Sequence, residues 1–581
     1  MEAAVKNHIN EWSNSPFDEK TISEIKTLVE NNDEKELTDR FYRRLEFGTG
    51  GLRGILGAGI NRMNIHTVGM ATQGLANYIN DKKLGVKGVV ISYDSRNMSD
   101  VFSRDSAAIL AANGIKTYLF NELTPTPLCS FAIRELGAVS GIMITASHNP
   151  PKYNGYKVFW DDGGQVVPPH DDAIIDEVNK IDKIDKIKRM SFDDAVSKGL
   201  VTVIKDEILE KYASALSAVK MNNSGSDIKI AYTPLHGCGY RVIPEILKRF
   251  GFKNVFTEPE QSKPDGNFPT VVSPNPEEKS ALELVIKLGK DKDADILLAT
   301  DPDADRVGVG FKTKSGEYRL INGNQIGTML EYYMLSRLKE QNKLPANAAI
   351  VKTIVTTELQ REVAETFGCH CADVLTGFKW IAGEMKKYDE NRDHTFIFGG
   401  EESFGYLPVN FVRDKDSVST CYFFAEMTDW LYKQNRTLED FLNEIYIKHH
   451  LYVEDLKSLT FEGKEGMEKI QQIMHEFRNN PPAKFNGVNV DHLDDIHLLK
   501  RTFVQTGKTE NIKNLPSSDV LQFFLEDGTK ITLRPSGTEP KIKFYFSAKM
   551  KVSGAGEITA KHSEIQKVID GYRNWLVEKA G

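Results

Sequence analysis

The sequence predicts an α/β protein built from three related mixed α/β domains and a C-terminal α+β domain. Three observations carry this. The chain has 581 residues, and a single core stops growing beyond about 250–300 residues, so it must divide into several domains. One strand–helix–strand pattern occurs three times, each copy more than a hundred residues from the last. The final part of the chain changes to hairpin strands and one long amphipathic helix.

The first copy reads "GVVISYDSR", "SRDSAAILAANG", "IKTYLF". The second reads "IKIAYTPLHG", "RVIPEILKRFG", "FKNVF", and the third "AAIVKTIVTT", "ELQREVAETFG", "CHCADVL". In each, a β-branched run gives a strand, an apolar-periodic run gives a helix, and Gly114, Gly251 or Gly368 supplies a left-handed helix cap. Such βαβ units imply parallel or mixed sheets covered by helices. At the C-terminal end, "DVLQFFLEDGTKITLRPSG" carries the Asp-Gly signal of a hairpin. "KIKFYFSAKM" is a further strand, and "EITAKHSEIQKVIDGYRNWLVEKA" a long helix. The expected domains are 1–205, 206–318, 319–450 and 451–581.

Composition narrows the function classes. Hydrophobic residues make up 40% and charged residues 27%, as in ordinary soluble globular chains. A net charge of −8 without a long basic run argues against nucleic acid as a partner. The five cysteines, Cys129, Cys238, Cys369, Cys371 and Cys421, have no zinc-site spacing and read as free thiols in a reducing compartment. The polar start "MEAAVKNHINEW" is no secretory signal, and no stretch approaches the roughly 18 apolar residues of a membrane helix. A cytoplasmic protein with no membrane association is expected.

Chemistry concentrates in five places. "ADILLATDPDADRVGVGF" is an apolar strand delivering Asp301, Asp303 and Asp305 into the fold. Three carboxylates so close repel one another unless a cation neutralises them, and hard oxygen ligands favour Mg²⁺. Arg306 and Lys312 stand where a calcium loop needs Gly and Glu, which argues against that alternative. The aspartyl-phosphate signature of haloacid-dehalogenase phosphatases also fails, since Asp305 stands in place of Thr or Val. "ITASHNPPKYNGYK" ends a short apolar strand in Ser147 and His148, with Lys157 close behind. A serine beside a cation site can carry a phosphoryl group. "FGTGGLRGILGAGINRMN" is a glycine-dense loop around Arg53, able to bring backbone N–H groups close to an anion. "FGGEESFGY" places Glu401, Glu402 and Ser403 between glycines, where they suit sugar hydroxyls. "RPSGTEPKIK" offers Arg534, Ser536 and Thr538 with Gly537 between them, a set matched to a phosphate dianion.

"TASHNP", "DPDADR", "GEESFG" and "RPSGTEP", one per domain and in order, resemble the α-D-phosphohexomutase superfamily over nearly the whole chain. The resemblance implies four domains around a central cleft. It makes Ser147 the phosphoserine and part of the metal site, with Asp301, Asp303 and Asp305 as Mg²⁺ ligands. It places Lys157 at the general acid/base position, assisted by Arg53 and His148. Glu401 and Ser403 would hold sugar hydroxyls, while Arg534, Ser536, Gly537 and Thr538 would clamp the phosphate that is not reacting. Lys379 in "TGFKW", Arg413 and Lys415 in "VRDKD", and Arg306 would be further substrate contacts. Lys543 departs from the family, where many relatives carry Arg, so a point charge replaces a bidentate fork. "GEESF" is similar to the glucose-type branch. The implied reaction interconverts α-D-glucose 1-phosphate and glucose 6-phosphate, an intramolecular phosphotransfer through glucose 1,6-bisphosphate. Pentose or mannose phosphates on the same scaffold, a sugar-phosphate phosphatase and a non-catalytic sensor are the alternatives. Partners are small sugar phosphates, and the chain is expected to be a monomer or weak dimer.

Overall fold

The computed structural model describes residues 2–48, 51–222, 227–461, 463–536 and 541–580, apart from the side chains at 463 and 464. Its four sheets follow one another along the chain.

The first sheet has six strands in the order Gly51–Ile55, Tyr153–Trp160, Ser140–Ile144, Val89–Tyr93, Thr117–Phe120, Val201–Ile204. The last four run parallel, and the first two pair antiparallel at one edge. The second sheet has five strands, in the order Tyr318–Ile321, Val307–Lys312, Ile296–Thr300, Lys229–Thr233, Asn254–Thr257. The third has four: His370–Val374, Ala348–Thr353, Thr395–Glu401, Gly405–Leu407. Each predicted βαβ unit is present as a parallel strand pair, 89–91 with 117–119, 229–232 with 254–257 and 349–353 with 370–374. The three predicted caps have left-handed backbones, Gly114 at φ 74°, Gly251 at φ 96° and Gly368 at φ 73°. Only glycine adopts that conformation without steric cost, so each helix stops there and the chain turns back to the sheet.

The fourth sheet is antiparallel and runs from the edge strand Leu451–Thr460 through Lys541–Met550, Lys530–Pro535 and Leu521–Leu525 to Val488–Asp495 and two short strands beyond it. Its hairpin turns at Asp527-Gly528, with Gly528 at φ 83°, and the helix Ala555–Ala580 packs on strands 451–460 and 541–550. Ahead of the first sheet stand three helices, Ala3–Trp12, Glu19–Glu30 and Glu34–Phe41. They close a small core of their own around Val5, Ile9, Trp12, Ile25, Leu37 and Phe41, an addition the motifs do not announce. All five cysteines are buried and unpaired. Among the described residues, no helix is long and apolar enough to cross a membrane.

Candidate active site

The strand Ser140–Ile144 is buried at every position, and the loop that leaves it carries Ser147. Ser147 has φ 52°, a left-handed backbone that an ordinary side chain holds only when its surroundings impose it. The imposing group is Arg96, 2% exposed. Its guanidinium donates to the carbonyls of Ser147 (2.5 Å), Asn149 (2.5 Å), Pro150 (3.1 Å) and Tyr153 (3.0 Å). Asp94 lies 3.4 Å from its Nε, and the ring of Phe268 faces it at 5.0 Å. The planar fork of arginine suits this clamp, which an ammonium could not reproduce. Sequence reasoning missed Arg96. A residue acting on backbone carbonyls leaves no pattern beyond the strand-end "YDSR".

The acidic loop hangs between two antiparallel strands in which Thr300 pairs with Val307. Asp301, Asp303 and Asp305 are at most 1% exposed, and one carboxylate oxygen from each lies within 4.8 Å of the others. Asp301 Oδ1 accepts the N–H groups of Asp305 and Arg306, each at 3.0 Å, and Asp301 Oδ2 accepts Ser147 Oγ at 2.9 Å. Asp303 Oδ2 accepts Lys157 Nζ at 2.8 Å, and Asp305 Oδ2 accepts Lys157 Nζ at 3.2 Å and Lys415 Nζ at 3.1 Å. Asp303 Oδ1 and Asp305 Oδ1 are buried without a partner. Buried carboxylate oxygens are costly unless something binds them.

The electrostatics agree. Burial raises the Asp301 carboxyl well above its usual range, and the charges of Asp303 and Asp305 add to this. Burial opposes the charge of Asp305 too, but Lys415, Lys157 and Arg306 outweigh it and hold that carboxyl below its usual range. Burial would lower Lys157, yet Asp303 and Asp305 raise it, so it stays an ammonium. His148 Nδ1 is 3.3 Å from Ser147 Oγ. Burial, then Arg306 and Arg53, pull His148 down to about 2, leaving a neutral ring. Hard oxygens, two of them orphaned, with a hydroxyl alongside, fit a divalent cation of the Mg²⁺ kind.

Three domains meet here. Phe404 C=O accepts Val307 N–H at 2.9 Å, and Ser403 C=O accepts the Arg306 guanidinium at 3.0 Å. Arg306 also pairs with Glu277 at 2.5 Å. The loop therefore leans on the Glu401–Ser403 turn, where Glu401 accepts the N–H of Gly377 at 2.8 Å. All this faces a cleft of about 1030 Å³. Arg53, Ser147, His148, Lys157, Arg306, Glu401, Ser403 and Lys415 line it, with Arg534, Ser536 and Lys543 on the fourth domain's side. Arg53 stands opposite Gly155 in an antiparallel pair, on the same face as Lys157.

Two predicted contacts sit elsewhere. The Lys379 ammonium lies 4.0 Å from Asp171 and over the ring of Trp380, and the Arg413 guanidinium is bonded to Asp389 at 2.5 Å and to the carbonyls of Asn410 and Val412. Neither is among the described residues that line the cleft. Lys415 lines the cleft and at the same time reaches the acidic triplet, bonding Asp305 and Asp414. Gly537 and Thr538 lie outside the described residues.

Comparison with known proteins gives matches of the same kind. Models described as phosphoglucomutase/phosphomannomutase alpha/beta/alpha domains I, II and III match residues 44–185, 210–315 and 322–449. A phosphoglucomutase of Staphylococcus saprophyticus is 36% identical over 535 residues, 92% of this chain and 96% of that protein. One from Staphylococcus aureus is 36% identical over 528 residues, 90% of this chain and 93% of that protein. Among solved structures, the open form of the exocytosis-sensitive phosphoprotein pp63/parafusin of Paramecium superposes with TM-score 0.66 at 18% identity, covering 91% of this chain and 96% of that one. A phosphoglucomutase/phosphomannomutase family protein of Burkholderia thailandensis gives 0.64 at 19% identity, covering 92% and 97%. At these identities the two structures speak for the fold alone.

Proposed function

The chain belongs to the phosphoglucomutase/phosphomannomutase family, and we propose that it acts as a phosphoglucomutase, interconverting α-D-glucose 1-phosphate and glucose 6-phosphate. The observation that carries this is the 2.9 Å contact of Ser147 Oγ with Asp301, between a serine loop and an acidic loop of different domains, inside the cleft that Arg534 and Lys543 also line. A substrate with phosphate at one end and a hydroxyl at the other spans such a cleft.

In this reading Ser147 carries a phosphoryl group on Oγ. The sugar hydroxyl attacks that phosphorus. The O–P bond to Ser147 breaks, the hydroxyl's proton passes to water in the cleft, and the seryl oxygen left behind is protonated. Lys157, held as an ammonium, is the proton donor to that oxygen. The product, glucose 1,6-bisphosphate, turns end for end and returns its other phosphoryl group to Ser147. Asp301, Asp303 and Asp305 would hold Mg²⁺, which supplies charge neutralisation at the phosphoryl oxygens when bound. Arg53 and the neutral His148 assist at the serine, with Arg306 nearby. Glu401 and Ser403 accept and donate to sugar hydroxyls, and Lys415 holds Asp305. Arg534, Ser536, Gly537 and Thr538 clamp the distal phosphate, with Lys543 beside them. Lys379 and Arg413 would reach substrate only if the cleft closes around it. Five buried free thiols favour the reducing cytoplasm.

The test is a turnover panel with glucose 1-phosphate, mannose 1-phosphate, ribose 1-phosphate and deoxyribose 1-phosphate, alongside an assay for inorganic phosphate. Fastest turnover of glucose 1-phosphate without phosphate release is expected. Faster turnover of a pentose phosphate would move the substrate assignment. Stoichiometric phosphate release would mean a phosphatase, and no phosphate on Ser147 by intact mass after glucose 1,6-bisphosphate would point to a sensor.

A further inference from the structure

Asp303 belongs to the second domain, yet its carboxylate is gripped from the first. Thr126 Oγ1 donates to Asp303 Oδ2 at 2.8 Å, and Thr126 N–H donates to the Asp303 carbonyl at 2.9 Å. Thr126 is 0% exposed and opens the helix Thr126–Leu136, with Pro125 as its N-cap and Pro127 in its first turn. Proline on either side restricts the backbone that presents the hydroxyl. Lys157 takes the same oxygen at 2.8 Å. Oδ2 is thereby occupied by two donors, while Oδ1 is buried with no partner.

We propose that Thr126 is a positioning residue for the divalent-metal site. Its hydroxyl fixes Asp303 Oδ2 and so turns Oδ1 toward the point where the acidic triplet converges. The inference rests on the metal reading of that triplet. Lys157 cannot set this orientation alone. It is a point charge on a flexible stem, and it also serves Asp305 at 3.2 Å. Thr126 has one short β-branched side chain with few rotamers. Its paired N–H contact fixes the height of the loop as well as the turn of the carboxylate. Partners of ligating carboxylates commonly matter 10- to 100-fold in metal affinity (about that range in other metal sites). The consequence is geometric. The domain that carries Ser147 also orients a metal ligand of the neighbouring domain, so metal and serine keep one register.

The experiment is titration calorimetry of the full chain, stripped with EDTA and desalted, against MgCl₂ and separately MnCl₂. Wild type is compared with Thr126→Val, which keeps the shape and removes the hydroxyl, and with Thr126→Ser, which keeps the hydroxyl. Thr126→Val should weaken Kd by about 10-fold or more while the metal-free Tm stays near that of wild type. Thr126→Ser should stay near the wild-type Kd. Thr126→Ala replaces the valine variant, under the same criteria, if that variant does not fold. Wild-type affinity in the hydroxyl-free variant overturns the proposal, as does an equal loss in Thr126→Ser. A wild type that takes up neither ion overturns the metal reading itself, a result distinct from a variant that merely matches a metal-binding wild type.

Discussion

The two ends of the cleft are built differently. At the serine end, three domains share hydrogen bonds around one acidic loop. Thr126 and Lys157 of the first domain reach Asp303, and Ser147 reaches Asp301, while Phe404 C=O of the third accepts Val307 N–H at 2.9 Å. At the end lined by Arg534 and Lys543, the described bonds that tie the fourth domain down run to one neighbour. Lys530 meets Glu358 at 2.6 Å and the Ile354 carbonyl at 3.1 Å, Gln522 meets that carbonyl at 2.8 Å, and Lys549 meets Glu362 at 2.8 Å. In the proposed reaction the difference separates two tasks. Phosphoryl transfer needs its groups preorganised to fractions of an ångström. Holding a distal phosphate needs strong charge-assisted bonds on a wall that can let a reorienting intermediate turn.

Damage to the serine end should therefore cost turnover, and damage to the other end binding. The largest effect is expected from Ser147→Ala, with loss of mutase turnover by about 10³-fold or more and an unchanged circular-dichroism melt. Near-normal turnover would remove the phosphoserine from the account. Next comes the metal. Chelation, or Asp303→Asn, should lower kcat by about 10²-fold or more, and added Mg²⁺ should restore the chelated wild type but not the variant. An enzyme indifferent to EDTA would move the ligands elsewhere.

Arg534→Ala tests the opposite wall. A charge-assisted bond to phosphate is worth about 1.5–3 kcal/mol, so KM should rise roughly 10- to 100-fold. kcat should fall much less. Equal losses in kcat and kcat/KM would erase the contrast between the two ends. The smallest effect concerns Glu454, on a fourth-domain strand at the cleft wall. Burial raises its carboxyl from 4.5 to about 7, and its Oε1 has no partner. The folded chain therefore binds this proton more tightly than the unfolded one. Its contribution is full below pH 4.5, falls as pH rises, and is gone above about 7. Glu454→Gln, neutral throughout, should match wild type at pH 4.5 and exceed it by about 2 °C or more in apparent Tm at pH 8. A constant offset across pH would assign the effect to packing instead of ionisation.

Sequence patterns carried the local structure because local structure obeys short-range rules. Three strand–helix–glycine units, the Asp-Gly hairpin and the strand feeding Asp301 were legible, since periodicity, caps and turn chemistry depend on neighbours in the chain. The three N-terminal helices were not singled out. Their amphipathic faces pack on one another and on Ala58 and Ile60, and such packing has no motif.

The chemistry divides along the same line. By itself the sequence determined which side chains are present at the ends of which strands: Ser147, the three aspartates, Glu401 and Arg534. Tertiary structure alone decided which of them meet. It set Lys415 in the cleft wall against Asp305, and turned Lys379 toward Asp171 and Arg413 toward Asp389. It also brought in Arg96 and Thr126, which act on a backbone and on a carboxylate of another domain. The physical reason is range. Hydrogen bonds and charge pairs act over a few ångströms of space, and residues 147 and 301, or 126 and 303, become neighbours only after the domains have packed.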